Sequence, residues 1–200
     1  MKGFKEYLLQ EKPSKSVVFT FGRFNPPTVG HEKLIEKVAK EAIGNNYRIY
    51  ASQSFDKKKN PLTYEQKIKF MRQMFPKHGR NIILSKNVKT AIHALVELYD
   101  QGFTEVTMAV GSDRVEEFKK LLNTYNGVEG RHGLYNFEGG VNIVSAGDRD
   151  PDSDGVSGMS ASKMRAAAEA NDFASFVNAN HLPAVASFRR HDLFNHKDNN

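Results

Sequence analysis

The alternation of apolar runs with amphipathic segments predicts a chain in which strands alternate with helices. Residues 16–21 are mostly β-branched or aromatic, which is typical of a buried strand. Further along, apolar residues recur at helical spacing while charged residues fill the other face, which predicts a helix from about residue 30. These apolar positions are Leu34, Ile35, Val38, Ala39, Ala42 and Ile43. A short Gly/Pro loop over residues 22–31 therefore joins a strand to a helix.

The same alternation continues along the chain. Further strands are predicted at residues 47–52, 81–84, 105–110 and 141–144. Helices are predicted between them, and Thr63 with Gln66 forms a capping box at the start of one. Residues 125–140 are less periodic and are expected to form a loop or insertion. This order predicts an α/β fold, a doubly wound Rossmann-like parallel sheet whose ligands bind at the carboxyl ends of the strands.

Length and residue type set the domain boundaries. The chain has 200 residues, enough for one domain with a substantial core. We expect a short helix and linker over residues 1–15, the main domain over 16–185, and a polar C-terminal tail over 186–200.

Composition and charge narrow the class of protein. No cysteine is present, which excludes disulfides and thiolate metal sites and favours a cytoplasmic location. No segment approaches the roughly 18–20 apolar residues of a membrane span, and the first ten residues lack the apolar core of a signal peptide. No membrane partner is therefore expected. The net charge of +6 favours anionic partners, which include nucleotides, phosphorylated substrates and nucleic acid.

The loop over residues 22–31 has the features of a phosphate site. The first backbone N–H groups of the following helix have no intrahelical partner, and the helix dipole places partial positive charge there. An anion is the natural ligand of such a helix end. Arg23, Thr28 and His31 add a guanidinium, a hydroxyl and an imidazole. We expect these three groups to converge on one anion.

This loop resembles the first motif of the HIGH-motif nucleotidylyltransferase superfamily, which is written G-x-F-x-P-x-[H/T]-x-G-H. The matching residues are Gly22, Phe24, Pro26, Thr28, Gly30 and His31. Thr28 is similar to the phosphopantetheine adenylyltransferase branch. Gly22-Arg23-Phe24 is more similar to the nicotinamide-mononucleotide adenylyltransferase branch. The resemblance implies that Gly22, Arg23, Phe24, Gly30 and His31 bind the nucleotide.

A second run, residues 159–165, reads as another phosphate site at a helix start. Ser160 and Ser162 lie near the predicted N-cap, and Arg165 follows Ser162 by three residues on the same face. The run resembles the distal motif of the same superfamily, I-S-[S/G]-[S/T]-x-I-R, which holds the β- and γ-phosphates of the nucleotide. Ser160, Ser162 and Arg165 match, whereas Ala161 stands where a hydroxyl or glycine is usual.

Two weaker features fall at the ends of predicted strands. Gly111 and Asp113 follow a strand and resemble the nucleotide-side G-[S/A]-D turn of the family; the alternative is plain helix capping by Asp113 with Glu116. Lys57, Lys58 and Lys59 follow the second strand, where the acceptor substrate of the family approaches. The alternative there is a solvated run of charge.

The resemblance implies an enzyme that transfers AMP from ATP to a small phosphorylated acceptor and releases pyrophosphate. His31, Thr28 and Arg165 would be catalytic, and Mg²⁺ would bind with the nucleotide without dedicated protein ligands. Nicotinamide mononucleotide is the first acceptor expected and phosphopantetheine the second. A cytidylyltransferase using CTP and a phosphorylated alcohol remains an alternative, as does a catalytically silent nucleotide- or nucleic-acid-binding module. Nucleic acid is less expected because basic and acidic residues are interspersed. The oligomeric state is open.

Overall fold

A computed structural model describes residues 15–56, 60–147, 161–170 and 172. The described strands are β1 (Ser16–Gly22), β2 (Asn46–Ala51), β3 (Ile82–Ile83), β4 (Glu105–Val110) and β5 (Val141–Ser145). The described α-helices are α1 (Val29–Glu41), α2 (Tyr64–Met74), α3 (Ala91–Asp100), α4 (Val115–Thr124) and α5 (Ala161–Glu169). Short 3₁₀ helices span Pro76–Asn81 and Ser112–Arg114.

The strands form one parallel sheet in the order β3-β2-β1-β4-β5. Strand order reverses between β1 and β4, because the chain first adds strands on one side of β1 and then crosses to the other. Such a switch point opens a crevice at the carboxyl ends of the two central strands. The predicted doubly wound α/β fold is confirmed.

Helices cover both faces of the sheet. Successive residues of β1 point to opposite faces, so Val18 packs with α1 and Phe19 packs with the helices on the other face. The first face carries α1, α2 and α5, with a buried core that includes Ile35, Ile49, Met71 and Met164. The second face carries α3 and α4, with a buried core that includes Phe19, Tyr50, Leu95 and Leu122.

The segment over residues 125–140 is irregular, as predicted, but it also completes the second core. Tyr135 and Phe137 are buried between α3 and α4, and the Tyr135 hydroxyl donates to the carbonyl of Leu122 over 2.6 Å. Asn126 fixes the loop by donating to the carbonyl of Phe137 and accepting from its N–H, both at 2.9 Å. The loop is therefore a packed part of the domain.

Several predictions differ from the structure or fall outside it. Strand β3 is shorter than the predicted 81–84, because the 3₁₀ helix Pro76–Asn81 continues to its start. The expected N-terminal helix falls almost entirely outside the described residues, as do the C-terminal tail, the run 57–59 and Ser160. In the described part of the chain, no helix has the length and apolar character needed to cross a membrane.

Candidate functional site

The loop between β1 and α1 is built around a buried aromatic ring. Phe24 has a positive φ of 46° and is fully buried. Its ring lies against Gly22, where an added Cβ would be 2.8 Å from Phe24 Cε2. The ring also contacts His31, at 4.8 Å between ring centroids. Phe24, predicted to bind the nucleotide, therefore lies beneath the loop and supports it.

Thr28 and His31 form a reciprocal cap at the start of α1. The backbone N–H of Thr28 donates to His31 Nδ1 over 2.9 Å, and the Thr28 hydroxyl lies 2.8 Å from the same nitrogen. Since Nδ1 accepts the backbone N–H, the neutral imidazole carries its proton on Nε2. Thr28 is 3% exposed. The hydroxyl predicted to reach a phosphate thus faces His31 and orients the ring instead.

Asn25 ties this loop to the segment that precedes α2. Its side-chain amide donates to the carbonyl of Leu62 over 3.3 Å, and its side-chain oxygen accepts from the Leu62 N–H over 3.2 Å. Both residues are buried. This pair holds the loop in place on the side of the sheet covered by α2.

Arg165 brings the second predicted phosphate site to the same loop. Its Nη1 donates to the backbone carbonyl of Asn25 over 2.8 Å, and its Nη2 donates to Ser162 Oγ over 3.0 Å. Met164, next to it on α5, is buried in the same core cluster as Phe24. The N-terminal turns of α1 and α5 therefore meet at one crevice, although 140 residues separate Asn25 from Arg165.

The third predicted contact region, Gly111 and Asp113, lies on the β4 side of the point where the strand order reverses. Gly111 directly follows β4 and begins the 3₁₀ turn Ser112–Arg114, and Asp113 is exposed. The alternative of capping by Asp113 is wrong, because Arg114 is the N-cap of α4 and no side-chain cap bond is formed. Since β4 pairs with β1, Gly111, which follows β4, and Gly22, which ends β1, lie at the same edge of the sheet.

Lys67, a residue the motif search did not single out, lies buried beside this edge. Its Nζ donates to the carbonyl of Ser52 over 2.7 Å, and Ser52 N–H in turn donates to the Gly22 carbonyl over 2.8 Å. Burial, and to a lesser extent the charge of Arg23, lower the pKa of Lys67 to about 8. A signal was available, since Lys67 has helical spacing to buried Tyr64 and Met71.

The described side chains of the crevice include the cations Arg23 and Arg165 and the hydroxyl of Ser162, with the carboxylate of Asp113 exposed on the β4 side. In the ranges the structure covers, no cluster of three or more His, Asp or Glu could hold a metal ion. Magnesium usually keeps most of its waters and binds through substrate phosphates. The guanidinium, imidazole and backbone N–H donors described here fit an anion.

Comparison with known proteins agrees with this geometry. A model of the cytidylyltransferase-like family matches residues 19–165. A comparison with curated proteins finds no significant sequence match. One similar solved structure, from Vibrio parahaemolyticus, is assigned as a nicotinate-nucleotide adenylyltransferase; it has a TM-score of 0.55 and 16% identity, and the match covers 87% of this chain and 97% of that one.

A second similar structure is the nicotinic acid mononucleotide adenylyltransferase of Plasmodium falciparum in complex with NaAD. Its TM-score is 0.54 at 13% identity, with 90% of this chain and 98% of that chain covered. At such identities the structures establish a shared fold. The family match spans the loop at Gly22, the crevice and Arg165, and the chain belongs to the cytidylyltransferase-like family.

Proposed function

We propose that this chain is an adenylyltransferase that transfers AMP from ATP to a small phosphorylated acceptor and releases pyrophosphate. Family membership indicates nucleotidyl transfer as the class of reaction. The observation that carries the proposal is the hydrogen bond from Arg165 to the Asn25 carbonyl. It brings together two helix N-termini, each suited to phosphate, which supports a single site for the phosphates of a nucleotide.

In the proposed reaction, a phosphate oxygen of the acceptor attacks the α-phosphorus of ATP. A new P–O bond forms, and the bond from the α-phosphorus to the bridging oxygen of pyrophosphate breaks. The protein performs no covalent step, so its contribution is positioning and stabilisation of the charge on the phosphate oxygens. Magnesium enters as part of the nucleotide substrate, bound to its phosphates.

Each site residue has a role that follows from its placement. His31 donates from Nε2 to the α-phosphate, because Thr28 occupies Nδ1. Arg165 and Ser162 bind the pyrophosphate portion, together with Ser160, and exposed Arg23 assists them.

The remaining residues are proposed to contact either the nucleotide or the acceptor. Gly22 and Gly30 allow close approach of the phosphates to the backbone, while Gly111 and Asp113 contact the nucleoside from the β4 side. Lys57, Lys58 and Lys59 bind the acceptor; the flanking residues Asp56 and Asn60 pair with each other in an antiparallel bridge.

Nicotinamide mononucleotide is the first acceptor proposed. The motif Gly22-Arg23-Phe24 favours it, and both similar structures are named for transfer to a pyridine mononucleotide. Phosphopantetheine is the second candidate. Contacts with phosphates do not distinguish one base from another, so CTP is tested alongside ATP.

A pyrophosphate-release screen tests the proposal. ATP and CTP are each combined with nicotinamide mononucleotide, nicotinate mononucleotide, phosphopantetheine and several phosphorylated alcohols. We expect release with ATP that depends on one acceptor. His31→Ala should lower turnover by roughly two to three orders of magnitude, the effect of removing one oxyanion-type donor.

His93→Ala is the matched control. His93 has the same spacing from Thr90 at the start of α3 and a similar hydroxyl contact, with 2.7 Å between Thr90 Oγ1 and His93 Nδ1. Helix α3, which carries His93, follows the edge strand β3. The His93→Ala variant should therefore retain full activity. Release only with CTP would replace the adenylyl assignment with a cytidylyl one. No release with any pair, together with salt-sensitive RNA or DNA binding, would favour the silent binding module.

A further inference from the structure

Lys67 is a buried cation beside the carboxyl ends of β1 and β2. It is 0% exposed, and its one hydrogen bond to a described residue goes to the Ser52 carbonyl. Ser52 is itself bonded to Gly22, the last residue of β1. The ammonium therefore lies directly behind the loop that carries Arg23.

The described residues supply no negative charge for this ammonium. None of their carboxylates lies within 4.0 Å of Lys67 Nζ. An ammonium has three donors, and the Ser52 carbonyl takes one of them. A buried charge is costly unless it is paired, and here the charge acting on Lys67 is another cation, Arg23. The two cations make this end of the crevice suited to an anion.

We infer that Lys67 is a positioning residue for a phosphate group bound beside Arg23, and that binding of this phosphate is coupled to proton uptake by Lys67. The inference rests on the proposed function, which supplies the phosphate. Lys67 is too buried to touch substrate, so it acts through its charge and through the chain from Ser52 to Gly22.

The direction of the coupling follows from the groups around Lys67. Arg23 faces it from the β1–α1 loop and the Ser52 carbonyl faces it from the end of β2. The same loop holds His31, capped by Thr28, and the Arg165 guanidinium on the Asn25 carbonyl.

The pKa of Lys67 is lowered by burial and by Arg23. A phosphate at Arg23 offsets this charge and favours the ammonium, so the pKa rises on binding. Protons are then taken up most strongly above pH 8.

Calorimetry in two buffers of different ionisation enthalpy, neither containing phosphate, measures this uptake. ATP with Mg²⁺ and nicotinamide mononucleotide are titrated separately into the full chain, so no turnover occurs. If binding restores an ordinary lysine pKa, uptake is roughly 0.7 proton at pH 8.5 and roughly 0.1 at pH 7. Affinity should fall about five- to tenfold from pH 7.5 to pH 9 for the same reason. The ligand that shows the uptake identifies whose phosphate lies beside Arg23.

Variants assign the proton to Lys67. Lys67→Arg keeps the charge at all these pH values, so binding persists but the uptake at pH 8.5 disappears. Lys67→Met also removes the uptake and weakens binding. Lys69→Met, at an exposed position on the same helix, should behave as wild type.

Binding by wild type without uptake, or equal uptake by Lys67→Arg, would overturn the inference and leave the proposed function standing. Failure of both ligands to bind would remove the proposed function and the inference with it.

Discussion

Substitution of Gly22 by alanine should disrupt the site from beneath. The added Cβ would lie 2.8 Å from Cε2 and 3.1 Å from Cζ of the Phe24 ring. Ordinary contacts between carbon atoms are about 3.5–4.0 Å, so the ring must move by several tenths of an ångström. Phe24 is fully buried, and protein interiors are close-packed, so movement of the ring is expected to displace its neighbours.

The expected loss of stability can be estimated from overpacking substitutions in the cores of other proteins. Inserting a methyl group into a well-packed interior destabilises by about 1–3 kcal/mol. For a domain of this size, a loss of about 2 kcal/mol lowers Tm by roughly 4–8 °C. Since the displaced ring also contacts His31 at 4.8 Å between centroids, turnover should fall by more than the lost stability explains.

Urea denaturation and initial-rate assays on folded protein measure the two effects. Gly139→Ala is the matched control, because a Cβ there meets no atom within 4 Å. Its free energy of unfolding should stay within about 0.5 kcal/mol of wild type. Equal midpoints for Gly22→Ala and Gly139→Ala would refute the reasoning that the Phe24 ring fills the space beside Gly22.

Three further changes have outcomes set by single contacts. Asn25→Ala leaves the buried N–H and carbonyl of Leu62 without their partner and should lower the free energy of unfolding by about 1–3 kcal/mol in urea denaturation. An unchanged free energy would contradict the role of the Asn25–Leu62 pair in holding the loop. Arg165→Lys cannot span both Ser162 and the Asn25 carbonyl, so the Kd for ATP should rise about 10- to 100-fold, measured by calorimetry. Lys67 has a folded-state pKa of about 8, below its unfolded value, so wild-type stability relative to Lys67→Met should rise as pH increases from 8 towards 10. The rise should be about 1–2 kcal/mol allowing for solvent screening, and parallel urea midpoints across this pH range would refute it.

Local rules predicted the elements because each depends on residues close in sequence. The capping box of Thr63 and Gln66 occurs where the spacing predicted it. Alternation of single strands and helices was sufficient to predict the doubly wound sheet, since few other topologies satisfy it. The family could be predicted because the residues that resemble its first motif are close in sequence, and the match of the family model to residues 19–165 confirms it.

The contacts that assemble the site depend on tertiary packing, which local spacing does not encode. Nothing in the sequence pairs Asn25 with Leu62, or Arg165 with the Asn25 carbonyl. Tyr135 was assigned to a loop because its neighbours are polar and glycine-rich, yet it fills the core beside Leu122.

The contact between Thr28 and His31 is a second example of a site contact that was not predicted from the sequence. The Thr28 hydroxyl was expected to meet an anion, but an imidazole three residues later is a nearer partner. The cap on His31 is a local contact of Thr28 that the motif by itself does not reveal.

The anchoring of Arg165 has a consequence for how tightly the crevice can bind. Of the five N–H donors on its guanidinium, two are committed to described protein oxygens, which leaves three on a head group already held still. Ordering a long flexible side chain upon association typically costs about 0.5–1.5 kcal/mol. Here that entropy is lost when the chain folds. A polyphosphate that binds as proposed would therefore not have to order the Arg165 side chain.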